Sequence, residues 1–343
     1  MRRSRATTLH VAIALLLAAC TPDAPRTVTL LTHDSFDVSE DVIAAFEAEH
    51  GLTVEIVPLG DAGAALNTVV LTADDPGGDV LFGVDSTFLT RALDADIFLP
   101  HVADGLDEVP VALRSGDDRV TPIDVGDVCV NYDVAWFAAR DLPVPSTLED
   151  LADPAYRGLL AVQNPATSSP GLAFLLGTIE QLGEEAAFTF WADLRANDVL
   201  VTDGWTDAYY GAFTHAGGGD RPLVVSYAAS PAAEVLFADE PLDRAPTGVL
   251  VGTCVRQVEY AGVLRGARDV EAARLLVDHL LGPAFQADLP LTMFVLPVRT
   301  DVTLPDVFVR HAEIPTEPIV MDPARIDANR EAWIERFDAV VLR

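Results

Sequence analysis

Lysine is missing altogether. Every one of the 22 basic residues is arginine, set against 53 acidic residues for a net charge of −31. A protein that neutralises nucleic-acid phosphates needs a basic face, so this balance argues against a polyanionic partner. Most of the surplus acid solvates the surface, with a weak bias toward cationic ligands. Catalytic signatures are missing too: no Gly-x-Ser-x-Gly elbow, His-Glu-x-x-His, Cys-x-x-Cys or phosphate loop occurs. The seven histidines are scattered, most in surface-like contexts such as EAEHG and FTHAGG. Internal repeats and low-complexity tracts are absent beyond the N-terminal region, and disorder is not expected, since half of the 343 residues are apolar.

The N-terminus reads as an export signal. Arg2, Arg3 and Arg5 precede the apolar run Val11–Ala19, which is too short to span a bilayer, and Leu17-Ala18-Ala19-Cys20 follows as in a bacterial lipobox. In that reading residues 1–20 are the signal with its lipobox, and the chain is cut before Cys20, which becomes the new N-terminus and carries a lipid; the alternative is an ordinary secretory signal with an incidental cysteine. Residues 21–27, TPDAPRT, are a tether. Export permits the remaining cysteines, Cys129 in DVCVNYD and Cys254 in GTCVRQV, to pair, the other possibility being two buried thiols in neighbouring strands.

Strand and helix patterns alternate from residue 28. TVTLLT is a strand; Ser39 caps a helix whose face is Val42, Ile43 and Phe46 and which stops at Gly51; LTVEIVPL, the loop Gly60–Gly63, the helix AALNTVVLTA and the continuously apolar strand DVLFGV follow. This βαβαβ order implies a parallel sheet with helices on both faces. After TPIDVGDVCVNYD the pattern continues through GLLAVQN, a helix over 171–182, VLVTD, TDAYYGAF, PLVVSY, AAEVLF, CVRQVEYAGVL, the helix DVEAARLLVDHLL closed by Gly282-Pro283, and the amphipathic tail ANREAWIERFDAVV. Two α/β lobes with the chain crossing between them more than once fit this better than one giant sheet.

In open parallel sheets ligands sit beyond the carboxyl ends of the strands. Polar and aromatic residues recur at those positions: His33-Asp34-Ser35-Phe36 after TVTLLT, Asp85-Ser86-Thr87 after DVLFG, Thr167-Ser168-Ser169-Pro170-Gly171 after LLAVQNP, Trp205 and Tyr209-Tyr210 after VLVTD, and Tyr227 with Ser230-Pro231 after PLVVSY. Any single hydroxyl here could simply cap a helix, and any single aromatic could pack in the core. Taken together, hydroxyls at helix starts suit an anion, while carboxylates and aromatic faces suit an organic cation.

These blocks, THDSF, FGVDST, NPATSSPGL, TDGWTDAYYGAF and VVSYAASPA, together with QVEYAGVL and GPAFQADLPLTMFVLPV, occur in one order over the whole mature length. The chain thereby resembles the thiamine-binding solute receptors of bacterial ABC importers, within the two-lobed class that also holds ferric-iron and polyamine receptors. The resemblance implies an α/β, two-lobed periplasmic-binding-protein-like (type II) fold with the ligand cleft between lobes, residues 28–124 and 255–300 forming one lobe and 125–254 and 301–343 the other. It implies a monomeric, non-catalytic receptor without cofactor or bound metal, lipid-anchored at Cys20, that delivers thiamine or a thiamine phosphate to a permease and its ATPase. The ligand set it implies is His33, Asp34, Ser35, Asp85, Ser168, Ser169, Gly171, Trp205, Tyr209, Tyr227, Ser230 and Phe294, with the two aspartates toward the cation or aminopyrimidine and Ser168/Ser169 toward phosphate. The family's familiar form has tyrosine where this chain has His33 and tryptophan where it has Phe294. Both changes should weaken cation–π attraction, by a fraction of the roughly 0.5–2 kcal/mol it supplies.

Two other readings remain at this stage. Tandem Tyr209-Tyr210 suits a ferric ion, and His33 with Asp34 suits the base and orienter of a secreted hydrolase, for which no nucleophile is identified. A histidine in a cation cage also implies affinity that falls as pH drops through its ordinary pKa, about 6.5.

Overall fold

The computed structural model describes residues 26–343. The export signal, Cys20 and most of the tether lie outside the described residues. Strand β1 (Arg26–Thr32) begins two residues inside the expected tether, because Arg26 and Thr27 already pair with Leu52 and Thr53 of β2 (Leu52–Pro58). β1 runs parallel to β2 and to β3 (Val80–Asp85), all six residues of which are buried, as a strand covered on both faces requires. The intervening helix Glu40–His50 starts after Ser39 and ends at Gly51, whose φ of 63° is the left-handed cap that glycine adopts without strain. Ser39 does not cap with its side chain; its Oγ donates instead to Asp288, 2.6 Å away, tying this helix to Pro283–Thr292.

The remaining strands are β4 (Phe98–Leu99), β5 (Thr121–Asp133), β6 (Leu160–Gln163), β7 (Leu200–Thr202), β8 (Leu223–Tyr227), β9 (Thr247–Leu264) and β10 (Leu296–Pro297). The expectation of two separate sheets is corrected: hydrogen bonding is continuous in the order β2-β1-β3-β9-β5-β8-β6-β7, with β4 added to β9 and β10 to β5. The reason is that β5 and β9 pair antiparallel along nearly their whole lengths, so both strands belong to each lobe. One end of the pair is flanked by the parallel β1–β3 unit, and the other by β8, β6 and β7, of which β6 is parallel to both neighbours.

β9 is longer than the expected CVRQVEYAGVL because it starts at Thr247. Its first half was hidden by an interruption: Val128 pairs with Val255 but Val130 with Leu250, so residues 251–254 bulge from the ladder. Thr253 replaces the missing backbone partner, its Oγ1 accepting from Val130 N at 2.9 Å and donating to Leu250 O at 2.7 Å. Cys129 and Cys254 form a disulfide across this bulge.

Helices cover both faces. Ser169–Leu182 is buried continuously from Ser169 to Ile179 and lies against β9 so closely that a Cβ on Gly177 would meet Val255 Cγ2 at 2.3 Å. Val270–Leu281 shows the expected stripe, burying Ala272, Ala273, Leu276, Val277, Leu280 and Leu281, and is capped by Asp269, which accepts from Ala272 N. Each fully buried leucine of that stripe contributes roughly 1.5–3 kcal/mol of transfer free energy. The helix Glu184–Ala196, not anticipated above, packs Phe190 and Trp191 beneath the tail helix Pro323–Phe337, where Trp191 and Phe337 meet edge-on at 4.8 Å. Arg330 of the tail donates to Thr90 Oγ1, on the short helix Leu89–Asp94, at 3.0 Å.

The disulfide closes a loop spanning 125 positions. Cys254→Ser should therefore lower stability by about 2–5 kcal/mol. The urea midpoint of the variant against that of the oxidised wild type measures this, and an unchanged midpoint would show that the bridge adds nothing beyond the β5–β9 ladder.

Candidate functional site

A cleft of about 370 Å³ opens where β1, β8 and the segment after β7 end, on the carboxyl side of their strands. One wall is aromatic. Trp205 stacks on Tyr209 (centroids 5.0 Å, planes 15° apart), Tyr210 stands edge-on to Trp205 at 5.5 Å, and Tyr227 lies 6.2 Å away. The indole is held at both ends, Nε1 donating to Ser226 Oγ at 2.9 Å and the backbone N–H to Asp61 Oδ2 at 2.8 Å. Tyr209 and Tyr210 come from a π-helical turn, Asp207–Ala212, whose wider pitch is a recurrent feature of functional sites. Ser230 contributes support as well as lining: its Oγ accepts from Tyr227 N at 3.2 Å and meets Ser226 Oγ at 2.9 Å, fixing the strand end that carries Tyr227.

Phe294 also lines the cleft and contacts Phe237 edge-on at 5.4 Å. Its φ of 56° places a bulky residue in the left-handed region, strain of order 1–3 kcal/mol that the surrounding fold must hold. Phe237 was not anticipated; it sits just past the helix Ser230–Leu236 and is two-thirds exposed, so nothing in the sequence set it apart.

The floor is charged and nearly dry. His33 is 7% exposed; its Nδ1 lies 3.0 Å from Ser35 Oγ and its Nε2 3.6 Å from Glu259 Oε2, ion-pairing range but too long for a hydrogen bond. Burial pulls the imidazole pKa down, but Glu259, Asp61 and Asp34 outweigh that and leave it raised. The pH window for its titration accordingly lies above the ordinary histidine value assumed from sequence. Below the floor, Asp124 is wholly buried with neither carboxylate oxygen hydrogen-bonded, and burial followed by Glu259 and Asp85 holds it well above the carboxylate range.

Of the residues expected to bind ligand, His33, Asp34, Ser35, Trp205, Tyr209, Tyr227, Ser230 and Phe294 line this one cleft. Ser169 lies in a small recess beside it, together with Asp61. Three expectations are corrected. Asp85 is wholly buried, accepting from Ser169 Oγ and from Thr87 N. Ser168 is wholly buried and donates its Oγ to Asp61 Oδ2 at 2.9 Å. Gly171 is buried because the helix start lies on β6, where a Cβ would stand 2.5 Å from Gln163 O. The helix N-terminus expected to receive phosphate is thus closed by the chain's own carboxylate: Asp61 accepts from Ser168 Oγ, Ser169 N, Trp205 N and Ala62 N. Burial pushes Asp61 up, against the pull of those hydrogen bonds.

Besides Phe237, sequence reasoning missed Glu259, which lines the cleft, and Asp61, which lines the recess beside it. Asp61 follows a strand, the positional rule that selected His33, but its glycine-flanked loop read as a plain turn. Glu259 lies mid-strand, where its only mark is a carboxylate in the largely apolar run VEYAGVL.

The alternative chemistries find little support in this geometry. Tyr209 OH donates to Glu234 Oε1 at 2.6 Å, and burial, then Glu234, pushes its pKa well up, which disfavours the phenolate that a ferric ion would take as ligand. Ser35, His33 and Glu259 resemble a hydrolytic triad in order, but the amides flanking Ser35 are occupied, Asp34 N by Gly60 O and Phe36 N by His33 O, leaving neither to stabilise an oxyanion.

Two lobes joined by long crossing strands, with an aromatic and acidic cleft at their strand ends, define a periplasmic solute receptor of the two-lobed class. The chain belongs to the bacterial extracellular solute-binding protein family, whose model matches residues 75–327. It is 32% identical over 347 residues to the thiamine-binding periplasmic protein of Brucella suis biovar 1, covering 98% of this chain and 97% of the relative. Among solved structures, a periplasmic thiamin binding protein superposes with a TM-score of 0.82 at 28% identity, over 93% of this chain and 97% of the other. The ferric binding protein from Campylobacter jejuni shares the fold at a TM-score of 0.72 and 18% identity, over 91% and 99%.

Because its raised pKa makes ionisation of Asp124 costly in the fold, the stability it permits is full at acid pH and lost as pH rises through that raised value. Asp124→Asn should therefore stabilise the protein by about 1–3 kcal/mol at neutral pH, with the gain shrinking toward zero near pH 4. Thermal melts of both proteins across this range check it; a constant or negative difference would contradict the charge-burial account.

Proposed function

We propose that this chain is the thiamine receptor of a bacterial ABC importer, holding its ligand by closure of the lobes and presenting it to a permease driven by an ATPase. The observation that carries this is the cleft itself: the stacked pair Trp205/Tyr209, with Tyr227 and Phe294, lines it together with the carboxylates of Glu259 and Asp34. A thiazolium ring needs that combination, an electron-rich aromatic face and a carboxylate counter-charge in a partly dry site. The full-length similarity to thiamine-binding proteins supports the same ligand. With Ser168 and Ser169 engaged by Asp61 and Asp85, recognition centres on the two rings rather than on a phosphate.

The lobe boundaries 124/125 and 254/255 fall inside β5 and β9, and 300/301 just beyond β10; we assign the hinge to these crossings. The receptor acts as a monomer without catalysis. Export followed by lipid attachment at Cys20, the cysteine of the LAAC lipobox, tethers it to the membrane. Cys20→Ser should move the protein from the membrane to the soluble fraction of a cell expressing it; retention on the membrane would remove the lipid anchor.

Calorimetry with thiamine, its mono- and diphosphate, spermidine and ferric citrate tests the ligand. Saturable 1:1 binding of thiamine is expected, and binding of none of the thiamine forms would overturn the reading. Trp205→Ala should weaken thiamine binding by about 10-fold or more, whereas Phe294→Trp should strengthen it by about 2- to 5-fold.

A further inference from the structure

The floor of the cleft carries an arrangement that the aromatic walls do not explain. Glu259 of β9 is paired in register with Asp85 of β3 on one side and with Asp124 of β5 on the other. Residues directly opposite in a sheet project from the same face, so these carboxylates form one cross-strand row, a destabilising placement for like charges. Asp85 and Asp124 are wholly buried, and of the row only Glu259 lines the cleft. Among the described residues, the cation within ion-pairing range of Glu259 is His33, whose Nε2 has no hydrogen-bond partner. The other titratable groups facing this pair are Asp34 of the same loop, Asp61 of the loop after β2, Asp85, Asp124 and Tyr227 of β8, none of them basic.

We infer that Glu259 is the specificity-determining counter-ion of the cleft: it takes the positive charge of an organic cation, and His33 neutralises the same carboxylate when no cation is bound. The identity of that cation as thiamine rests on the preceding section. The physical reason is compensation. A row of buried acids in a site of low dielectric needs a positive charge next to the one member that reaches the cleft, and a ligand cation or a protonated imidazole supplies it. A neutral ligand of the same shape would displace water from Glu259 without replacing the lost solvation, so the carboxylate selects against neutral heteroaromatics as well as for cations. A proton consequence follows. The cation removes the attraction that holds the proton on His33, so binding releases it, and affinity rises with pH through the raised range of that imidazole.

Isothermal calorimetry of the full chain, in buffers of different ionisation enthalpy, reads both effects. Glu259→Gln should bind thiamine at least about 10-fold more weakly at pH 7.5, and proton release, up to ~1 per thiamine in the wild type, should fall toward zero. Equal affinity, or a proton release unaffected by the substitution, overturns the inference. Removing a charge from the acidic row should leave the melting temperature equal or higher. Glu259→Asp controls for a general loss of structure: retaining the charge, it should bind better than the glutamine variant, and equal weakness in two well-folded variants also overturns the inference. Should the wild type bind no form of thiamine, the preceding reading fails, and the same comparison with 3,4-dimethylthiazolium, followed by NMR, decides Glu259 separately: no difference between wild type and Glu259→Gln sinks it.

Discussion

The antiparallel pairing of β5 with β9 sets the position of almost everything else in the molecule. It carries the hydrogen-bond ladder from the parallel β1–β3 unit to the β8-β6-β7 unit, so two lobes share one sheet. The bulge at residues 251–254 interrupts the ladder, and Thr253 and the Cys129–Cys254 disulfide repair it with one side-chain pair of hydrogen bonds and one covalent link. In the hinge proposed for these crossings, strands that run through both lobes let the molecule bend without coming apart.

The same pairing also creates the site's electrostatic character. Register places Asp124 beside Glu259 and Glu259 beside Asp85, which would be a poor choice for stability alone. His33, Ser169, Gln257 and Thr87 are gathered around this row and partly offset it, Gln257 Nε2 donating to the Ser169 hydroxyl that in turn donates to Asp85. Functional sites commonly sit at such points of tolerated instability. The strained backbone of Phe294 is a second instance at the same cleft.

Much of the cleft was legible as a sequence because position along a strand is a one-dimensional property. His33, Asp34 and Ser35 follow a strand end, as do Trp205 and Tyr227, and the fold gathers strand ends on one side. What failed was the distinction between a polar group that faces ligand and one that faces another part of the protein. Ser168 and Ser169 look like anion ligands until Asp61, more than a hundred residues away in sequence, is seen to occupy their donors. Gly171 looks like part of a binding turn until the backbone of Gln163 is found where its side chain would be.

By itself the sequence determined the α/β class, the alternation of elements, the export signal reading and the aromatic and hydroxyl content of the strand-end loops. These follow from local periodicity and from chemistry confined to neighbouring residues. Tertiary structure alone decided that the sheet is continuous, that Asp85, Ser168 and Gly171 are interior, and that Glu259 is the member of the cross-strand acidic row that reaches the cleft. The physical reason is register: pairing between strands far apart in the chain selects which side chains share a face, and no local pattern records it.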